Sequence, residues 1–211
     1  MMKLRMRVYL VVWVLLRSVG ATSHLASLQA SFAKVSTPDL GVDSLLSACE
    51  ALAAAMRSWG QHRSAAELEA NVRKVDRYAY RTVEELLQSE KDRGIHDNGL
   101  KDPSSAMGLL WLHRALSFQL KWFELALKDD TTPSQAAVQA YAKELEPHHD
   151  WLLQKVYRAI LTVTCPKDTT TMLQQLAGSR IATEQTRVDL ETLLATTRPI
   201  LQHWATLQVG M

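Results

Sequence analysis

The segment 105–128 constrains the fold most, because its apolar residues form two neighbouring stripes at helical spacing. The first stripe contains Leu109, Leu112, Leu116, Leu120, Phe123 and Leu127. The second contains Trp111, Ala115, Phe118 and Trp122. A surface helix needs only one apolar stripe, about 100° wide. The sequence therefore predicts a central helix packed on two sides. Either both sides are core, or one of them lines an apolar cavity.

The remainder of the chain also shows helical spacing and no sustained strand alternation. Ser64 and Glu67 have the spacing of a capping box, Pro133 suits a first helical turn, and Pro147 predicts a kink or restart. The predicted helices cover 23–35, 42–59, 64–89, 105–128, 133–164 with the interruption, 168–178, 180–197 and 199–207. These elements predict one all-α domain of about eight helices.

Composition excludes several classes of protein. Hydrophobic residues make up 47% of the chain and charged residues 22%, which excludes a disordered or fibrous protein. The net charge of +2 provides no large field for nucleic acid. Cys49 and Cys165 are far apart in sequence, which excludes a disulfide scaffold or a cysteine-rich zinc site.

The N-terminal residues 1–21 differ from the domain at 22–211. Lys3, Arg5 and Arg7 precede the apolar run at 8–16, which is too short to span a bilayer. The pattern fits a signal peptide with small residues at 19–21. The alternatives are an extension packed on the domain and a wrongly assigned start codon. A cleaved segment would place the protein in the secretory pathway.

Two groups of residues could bind a ligand. Glu67, Asn71, Lys74 and Tyr78 share one face of the helix predicted at 64–89, where they would suit sugar hydroxyls or form a solvated face. His149 is predicted to lie on the buried face of the helix that resumes after Pro147. It is either a core residue whose hydrogen bonds are satisfied within the protein or a group that hydrogen-bonds a ligand. The other members of that face are Leu152, Leu153, Val156, Ile160 and Val163.

Three motifs together resemble the glycolipid transfer protein family over roughly residues 24–211. Residues 67–74 read ELEANVRK and are similar to the family's headgroup motif Asp-x-x-x-Asn-x-x-Lys. Residues 110–118 read LWLHRALSF and are similar to Trp-Leu-(Lys/His)-Arg-(Gly/Ala)-Leu-x-Phe. Residues 149–155 read HDWLLQK and are similar to His-Gly-Trp-(Ile/Leu)-x-Gln-Lys. The three motifs occur in the family's order and at similar separations.

This resemblance implies a two-layer all-helical sandwich that encloses an apolar pocket for the two chains of a sphingolipid. It also implies a monomeric, cytosolic lipid carrier that meets membranes transiently and uses no cofactor, metal or nucleic acid. The resemblance implies that the headgroup is bound by Glu67, Asn71 and Lys74, that Trp111 stacks on the first sugar, and that His149 bonds the ceramide amide. It also implies that Trp151 contacts the membrane. The acyl chains would be lined by Phe118, Trp122, Leu152 and Tyr157.

The headgroup is the point on which related proteins differ. Ceramide-1-phosphate transfer proteins have Lys at the position of Asn71 and Arg at the positions of Met107 and Trp111. Phosphate requires several charge-assisted donors, so this chain resembles the glycolipid-binding branch. It departs from that branch at Glu67, where the family has Asp, and the longer side chain moves the carboxylate outward by about 1.5 Å.

The sequence also allows two other functions. A sphingolipid sensor on the same fold would need the same pocket as a carrier. A metal-dependent phosphohydrolase would use His149 and Asp150 with His96 or His113 and a further aspartate. The sequence shows no redox or acid–base constellation and no phosphate-binding glycine-rich loop.

Overall fold

The computed structural model describes residues 24–128, 130–179 and 184–208. The helices are α1 His24–Phe32, α2 Val42–Ser58, α3 His62–Val72, α4 Val83–Asp92, α5 Ser105–Ala126, α6 Pro133–Glu144, the 3₁₀ turn Glu146–His148, α7 Trp151–Thr164, α8 Thr169–Ala177 and α9 Glu184–Leu207. Within these residues the regular elements are helices, apart from one antiparallel bridge between Gly41 and Thr82. The predicted all-α fold is confirmed. The prediction for residues 1–21 lies outside the described residues.

Helix α5 is the central helix that its two stripes predict. The Ser104 side chain caps it by accepting a hydrogen bond from the Met107 amide at 3.0 Å. It packs against α3, α4, α6 and α9. The first stripe is buried up to Phe123, whereas Trp111, Ala115 and Phe118 are only partly buried. One side of α5 is therefore core, and the other borders a cavity.

The prediction of one helix over 64–89 is wrong, because α3 ends at Val72 and a separate helix, α4, begins at Val83. Partners from distant segments take the backbone groups between these points. The Asp76 amide donates to Ser105 Oγ at 3.1 Å, and the Val83 amide donates to the Leu40 carbonyl at 2.8 Å. The capping box is formed by Thr82 and Glu85, not by Ser64 and Glu67. Tyr78 consequently points into solvent with 88% exposure.

The two helices predicted at 180–197 and 199–207 form one helix, α9, with Pro199 inside it. A proline in a helix interior costs about 3 kcal/mol or more. The same buried face continues on both sides of Pro199, from Leu193 and Thr197 to Ile200 and Trp204. This face packs against α1 and α5, so tertiary packing outweighs the cost of the proline.

Helix α7 does not bury the face that its pattern predicts. Leu152 is 57% exposed and Val163 is 83% exposed, and Val156 and Ile160 are also exposed. Leu161 is the one buried residue of this helix. Helix α7 packs against α6, and its apolar side faces a cavity and solvent. This arrangement leaves apolar side chains beside an opening.

His149 precedes α7 and does not belong to its helical stripe, so the helical phase predicted for it is wrong. Pro147 places residues 146–148 in a 3₁₀ turn, and His149 is extended with φ −107° and ψ 145°. Asp150 then caps α7 by accepting a hydrogen bond from the Leu153 amide at 2.9 Å. The turn, rather than helical periodicity, directs the His149 side chain.

Candidate functional site

Two cavities lie side by side between α2, α3, α5 and α7, and they share Ser64, Phe118 and Tyr157 as a common wall. The small cavity has a volume of about 80 Å³. The rest of its lining is Leu52, Met56, Glu67, Leu68, Asn71, Trp111, Ala115, Leu145 and His149. The large cavity has a volume of about 250 Å³ and extends from Trp59 and Trp122 along α7 to Cys165 and Pro166. An elongated ligand with a polar end and an apolar body fits this arrangement.

Helix α3 supplies the polar groups of the small cavity. Glu67 Oε1 accepts from Arg63 Nε at 3.3 Å, and Glu67 Oε2 accepts from the Tyr157 hydroxyl at 3.3 Å. One turn later, Asn71 Nδ2 donates to the Glu67 carbonyl at 3.0 Å. The Asn71 side chain thus keeps its carbonyl oxygen as an acceptor and one amide proton as a donor.

Trp111 on α5 forms the opposite side of the small cavity. Its ring centroid lies 5.9 Å from that of His149, with an interplanar angle of 24°. The guanidinium carbon of Arg114, one turn further along α5, lies 5.0 Å from the Trp111 centroid. Aromatic and cationic neighbours together hold the indole in place.

His149 belongs to an aromatic cluster that also contains Tyr141 and Tyr157. The Tyr141 hydroxyl and His149 Nδ1 are 2.9 Å apart, and the Tyr141 and Tyr157 rings stack at 5.2 Å. Burial lowers the pKa of His149, so the imidazole is neutral at pH 7. If Tyr141 donates to Nδ1, the imidazole proton is on Nε2 and can be donated to a carbonyl.

Tyr157 also carries a strongly shifted pKa. Its burial and the neighbouring Glu67 carboxylate raise the pKa of Tyr157 to about 12. The phenol is therefore protonated throughout the physiological range and can donate to Glu67. This hydrogen bond joins α3 to α7 across the wall that separates the two cavities.

Lys74 is the one predicted headgroup residue that lies outside the lining of the small cavity. It follows α3 in the turn after Val72, and its Nζ lies 2.7 Å from Asp102 Oδ1. Its stem packs against Gly108 of α5. A Cβ at position 108 would lie 2.8 Å from the Asn71 carbonyl and 3.0 Å from Lys74 Cβ.

The residues predicted along the acyl chains do not all line the large cavity. Phe118, Trp122 and Tyr157 do, and Trp122 is fixed because its Nε1 donates to the Pro133 carbonyl at 2.8 Å. Leu152 does not. It points into solvent, while Leu153, about 100° further round α7, lines the cavity instead.

Trp151 lies at the first position of α7 and is 67% exposed. The Lys155 ammonium lies 4.8 Å from its ring centroid. Leu152 and Val163 of the same helix are also exposed, and this helix borders the large cavity.

Several lining residues escaped the sequence analysis. They include Leu52, Met56, Leu68 and Leu145 in the small cavity, and Trp59 and Leu161 in the large one. Tyr141 also escaped it, although its hydroxyl lies within hydrogen-bond distance of His149 Nδ1. A signal for Tyr141 existed, because a tyrosine on the buried side of a helix needs a partner for its hydroxyl.

The remaining chemistry of the described residues is limited. They contain no group of three or more His, Cys, Asp or Glu side chains that could hold a metal ion. Cys49 and Cys165 are both free thiols, and burial raises their pKa values to about 12 and about 11. Within the described part of the chain, no helix is both long enough and apolar enough to cross a membrane.

Comparisons with known proteins match this chain to one family and one fold. Residues 40–178 match the family model described as glycolipid transfer protein. The glycolipid transfer protein of Danio rerio is 28% identical over 88 residues, which are 39% of this chain and 41% of the relative. The chain thus spans about two fifths of the length of the curated relative that it matches.

Two solved structures share the fold. Human ceramide-1-phosphate transfer protein in complex with 2:0 ceramide-1-phosphate has a TM-score of 0.75 and 19% identity, with 88% of this chain and 95% of that chain covered. The structure that explains how FAPP2 selects simple glycosphingolipids has a TM-score of 0.70 and 18% identity, with 88% and 94% covered. At these identities the likeness establishes the fold alone.

Proposed function

Because this chain belongs to the glycolipid transfer protein family, we propose that it carries a sphingolipid between membranes and that its cargo is a glycosylceramide. The protein makes and breaks no covalent bond in this proposal. It lowers the barrier to moving the lipid through water, because it covers the hydrocarbon chains. Each methylene that is kept from water contributes about 0.8 kcal/mol.

The observation that carries the choice of a sugar headgroup is the chemistry of the small cavity. Its described lining contains the Glu67 carboxylate, the Asn71 amide and the Trp111 indole, and it contains no lysine or arginine. Sugar hydroxyls can donate to the carboxylate and exchange hydrogen bonds with the amide, and the C–H face of a sugar suits an indole. A phosphate would instead meet the Glu67 carboxylate in a lining that supplies no cation of its own, since Arg63 pairs with Glu67 from outside that lining.

The neighbouring residues complete the proposed binding mode. His149 Nε2 donates to the ceramide amide carbonyl while Tyr141 holds the ring. The hydrocarbon chains occupy the large cavity, whose walls include Phe118, Trp122 and Tyr157. Lys74 stands at the outer edge of the headgroup site, paired with Asp102.

The proposal also includes transient contact with a membrane through Trp151. Tryptophan rings favour the interface between headgroups and hydrocarbon. Trp151 and Leu152 are exposed at the start of α7, the helix that borders the large cavity. A lipid could therefore move from the bilayer into the cavity with little exposure to water.

Vesicle-to-vesicle transfer of three fluorescent lipids tests the proposed function. The lipids are a monohexosylceramide, ceramide-1-phosphate and phosphatidylcholine. We expect movement of the hexosylceramide, and we expect Trp111→Ala to abolish it. Tyr78→Ala is the matched control, because Tyr78 is an aromatic residue that lines neither cavity. Movement of phosphatidylcholine at the same rate, or full activity of Trp111→Ala, would refute the proposal.

One observation favours ceramide-1-phosphate as a second candidate cargo. Arg114 lies over Trp111 at the edge of the small cavity, and no ion pair between described residues includes it. A guanidinium is well suited to phosphate. Transfer of ceramide-1-phosphate alone, lost in Arg114→Gln, would establish this candidate. Tight binding of a sphingolipid with very slow transfer would favour a sensor.

A further inference from the structure

We infer that Asp102 is a selectivity residue, which holds the Lys74 ammonium away from the small cavity and thereby disfavours anionic headgroups. This inference rests on the proposed function, since it concerns the same headgroup site. Asp102 is 28 residues from Lys74 in sequence, and it reaches Lys74 from the loop between α4 and α5.

The stem of Lys74 is held close to the headgroup site. Gly108 lets the turn after α3 approach α5, since any larger residue would collide with the Asn71 carbonyl and Lys74 Cβ. Gly108 is one turn before Trp111 on the same helix. Lys74 therefore starts beside the cavity, and its flexible four-carbon chain allows its ammonium to be directed either toward a ligand or away from it.

The loop that carries Asp102 is anchored at both ends. Near its beginning, His96 Nε2 lies 3.0 Å from Glu90 Oε2, and the Lys101 amide donates to His96 Nδ1 at 3.4 Å. At its end, Ser104 Oγ donates to the Lys101 carbonyl at 2.7 Å. These bonds fix the backbone on either side of Asp102, so its carboxylate is presented to Lys74 at little entropic cost.

Charge then decides which headgroup the site accepts. The Asp102–Lys74 pair has a separation of 2.7 Å, and the Lys74 side chain is 25% exposed while the Asp102 side chain is 55% exposed. A partly buried pair is screened less than a fully exposed one. Asp102 disfavours an anionic headgroup because it occupies the Lys74 ammonium, which would otherwise be free to pair with the anion. A neutral sugar loses little, since the small cavity supplies its polar partners without Lys74.

The test compares Asp102→Asn with Asp97→Asn in the full chain. Asp97 is an exposed residue of the same loop, so its substitution makes the same change of net charge without freeing Lys74. The measured quantity is the ratio of ceramide-1-phosphate transfer to monohexosylceramide transfer. We expect Asp102→Asn to raise this ratio by about three- to tenfold, and we expect Asp97→Asn to leave it unchanged.

Two further variants separate selectivity from a structural effect. Asp102→Glu keeps the carboxylate and should retain the parent ratio. In a Lys74→Gln background, Asp102→Asn should have no effect, because the ammonium that it releases is absent. Equal loss of both lipids in Asp102→Asn, an equal rise in Asp97→Asn, or a rise that persists with Lys74→Gln would overturn the inference.

The outcome also distinguishes this inference from the proposed function. If the parent protein moves hexosylceramide and Asp102→Asn matches Asp97→Asn, the carrier function stands and the role of Asp102 is refuted. If the parent protein moves no sphingolipid at all, the proposed function fails, and the selectivity inference fails with it.

Discussion

Replacing Glu90 by Gln should destabilise the protein, because this carboxylate joins α4, α5 and the loop that carries Asp102. Glu90 is 5% exposed. It accepts hydrogen bonds from the Ser105 and Ala106 amides, each at 2.9 Å, and from His96 Nε2 at 3.0 Å. Two of these donors are amides in the first turn of α5, the central helix, where backbone N–H groups have no partner within the helix itself.

The magnitude follows from the three contacts. A hydrogen bond to a charged group contributes about 1.5–3 kcal/mol, and a neutral one about 1 kcal/mol. Gln has one oxygen where Glu90 has two, so it can accept either from Ala106 and His96 or from Ser105, and its NH₂ group faces the remaining donor. The lower desolvation cost of Gln offsets part of this loss. Loss of the carboxylate at the α5 N-terminus removes roughly another 0.3–1 kcal/mol. We expect a net loss of about 2–3 kcal/mol, or roughly 4–12 °C in Tm.

The dependence on pH provides a stricter test. Burial raises the pKa of Glu90, but the hydrogen bonds from His96, Ala106 and Ser105 outweigh burial and hold it below the ordinary value. Because folding lowers this pKa, the stabilisation is complete above the unfolded value of about 4.3. It is lost as pH falls through the lower folded value. The difference in free energy of unfolding between the parent protein and Glu90→Gln should therefore be constant from pH 7 to 5 and should become smaller below about pH 4.

Urea unfolding across this pH range measures the difference directly. Glu84→Gln is the matched control, because Glu84 is an exposed residue of α4, and its substitution should change stability by less than about 0.5 kcal/mol. A Glu90→Gln loss below 1 kcal/mol, or a loss of the same size at pH 7 and pH 3.5, would show that the carboxylate does not act through its charge.

Three further substitutions test other parts of the structure. Gly108→Ala should lower the free energy of unfolding in urea by about 1–3 kcal/mol, because the added Cβ would meet the Asn71 carbonyl. An unchanged midpoint would show that α5 and the end of α3 can move apart to accommodate it. Glu67→Asp should keep or raise hexosylceramide transfer although it removes the contact with Tyr157, and a large loss would show that Glu67 suits a different headgroup. Trp151→Ala should weaken sedimentation with vesicles several-fold and leave lipid binding in detergent intact. Unchanged sedimentation would remove Trp151 from the membrane surface.

Local signals in the sequence predict much of the fold. Helix α5 follows from its double stripe, and the start of α6 follows from Pro133. These elements are set by residues within one or two turns of one another. The break after Val72 could not be predicted in this way, because it depends on the hydrogen bond from Asp76 to Ser105, 29 residues away.

Pattern alone also cannot decide what an apolar face contacts. The spacing of Leu152, Val156 and Ile160 indicates a buried face, yet a face that borders a cavity or an exposed edge has the same spacing. Pro199 shows the opposite case. The local rule predicts a helix end there, but buried residues on both sides keep α9 continuous.

The candidate site shows the same division between local and distant contributions. Glu67, Asn71, Trp111 and His149 come from three separated motifs, and the structure brings them to one cavity. Their chemistry can be read from the sequence, because carboxylate, amide, indole and imidazole suit a hydroxylated, neutral headgroup. Whether Lys74 adds a positive charge to that cavity cannot be read from its motif, since the answer depends on Asp102 in a distant loop. We therefore expect headgroup selectivity in this chain to depend on the ion pair between Lys74, in the turn after α3, and Asp102, in the α4–α5 loop. A motif that lists Lys74 as a headgroup donor describes only one partner of that pair.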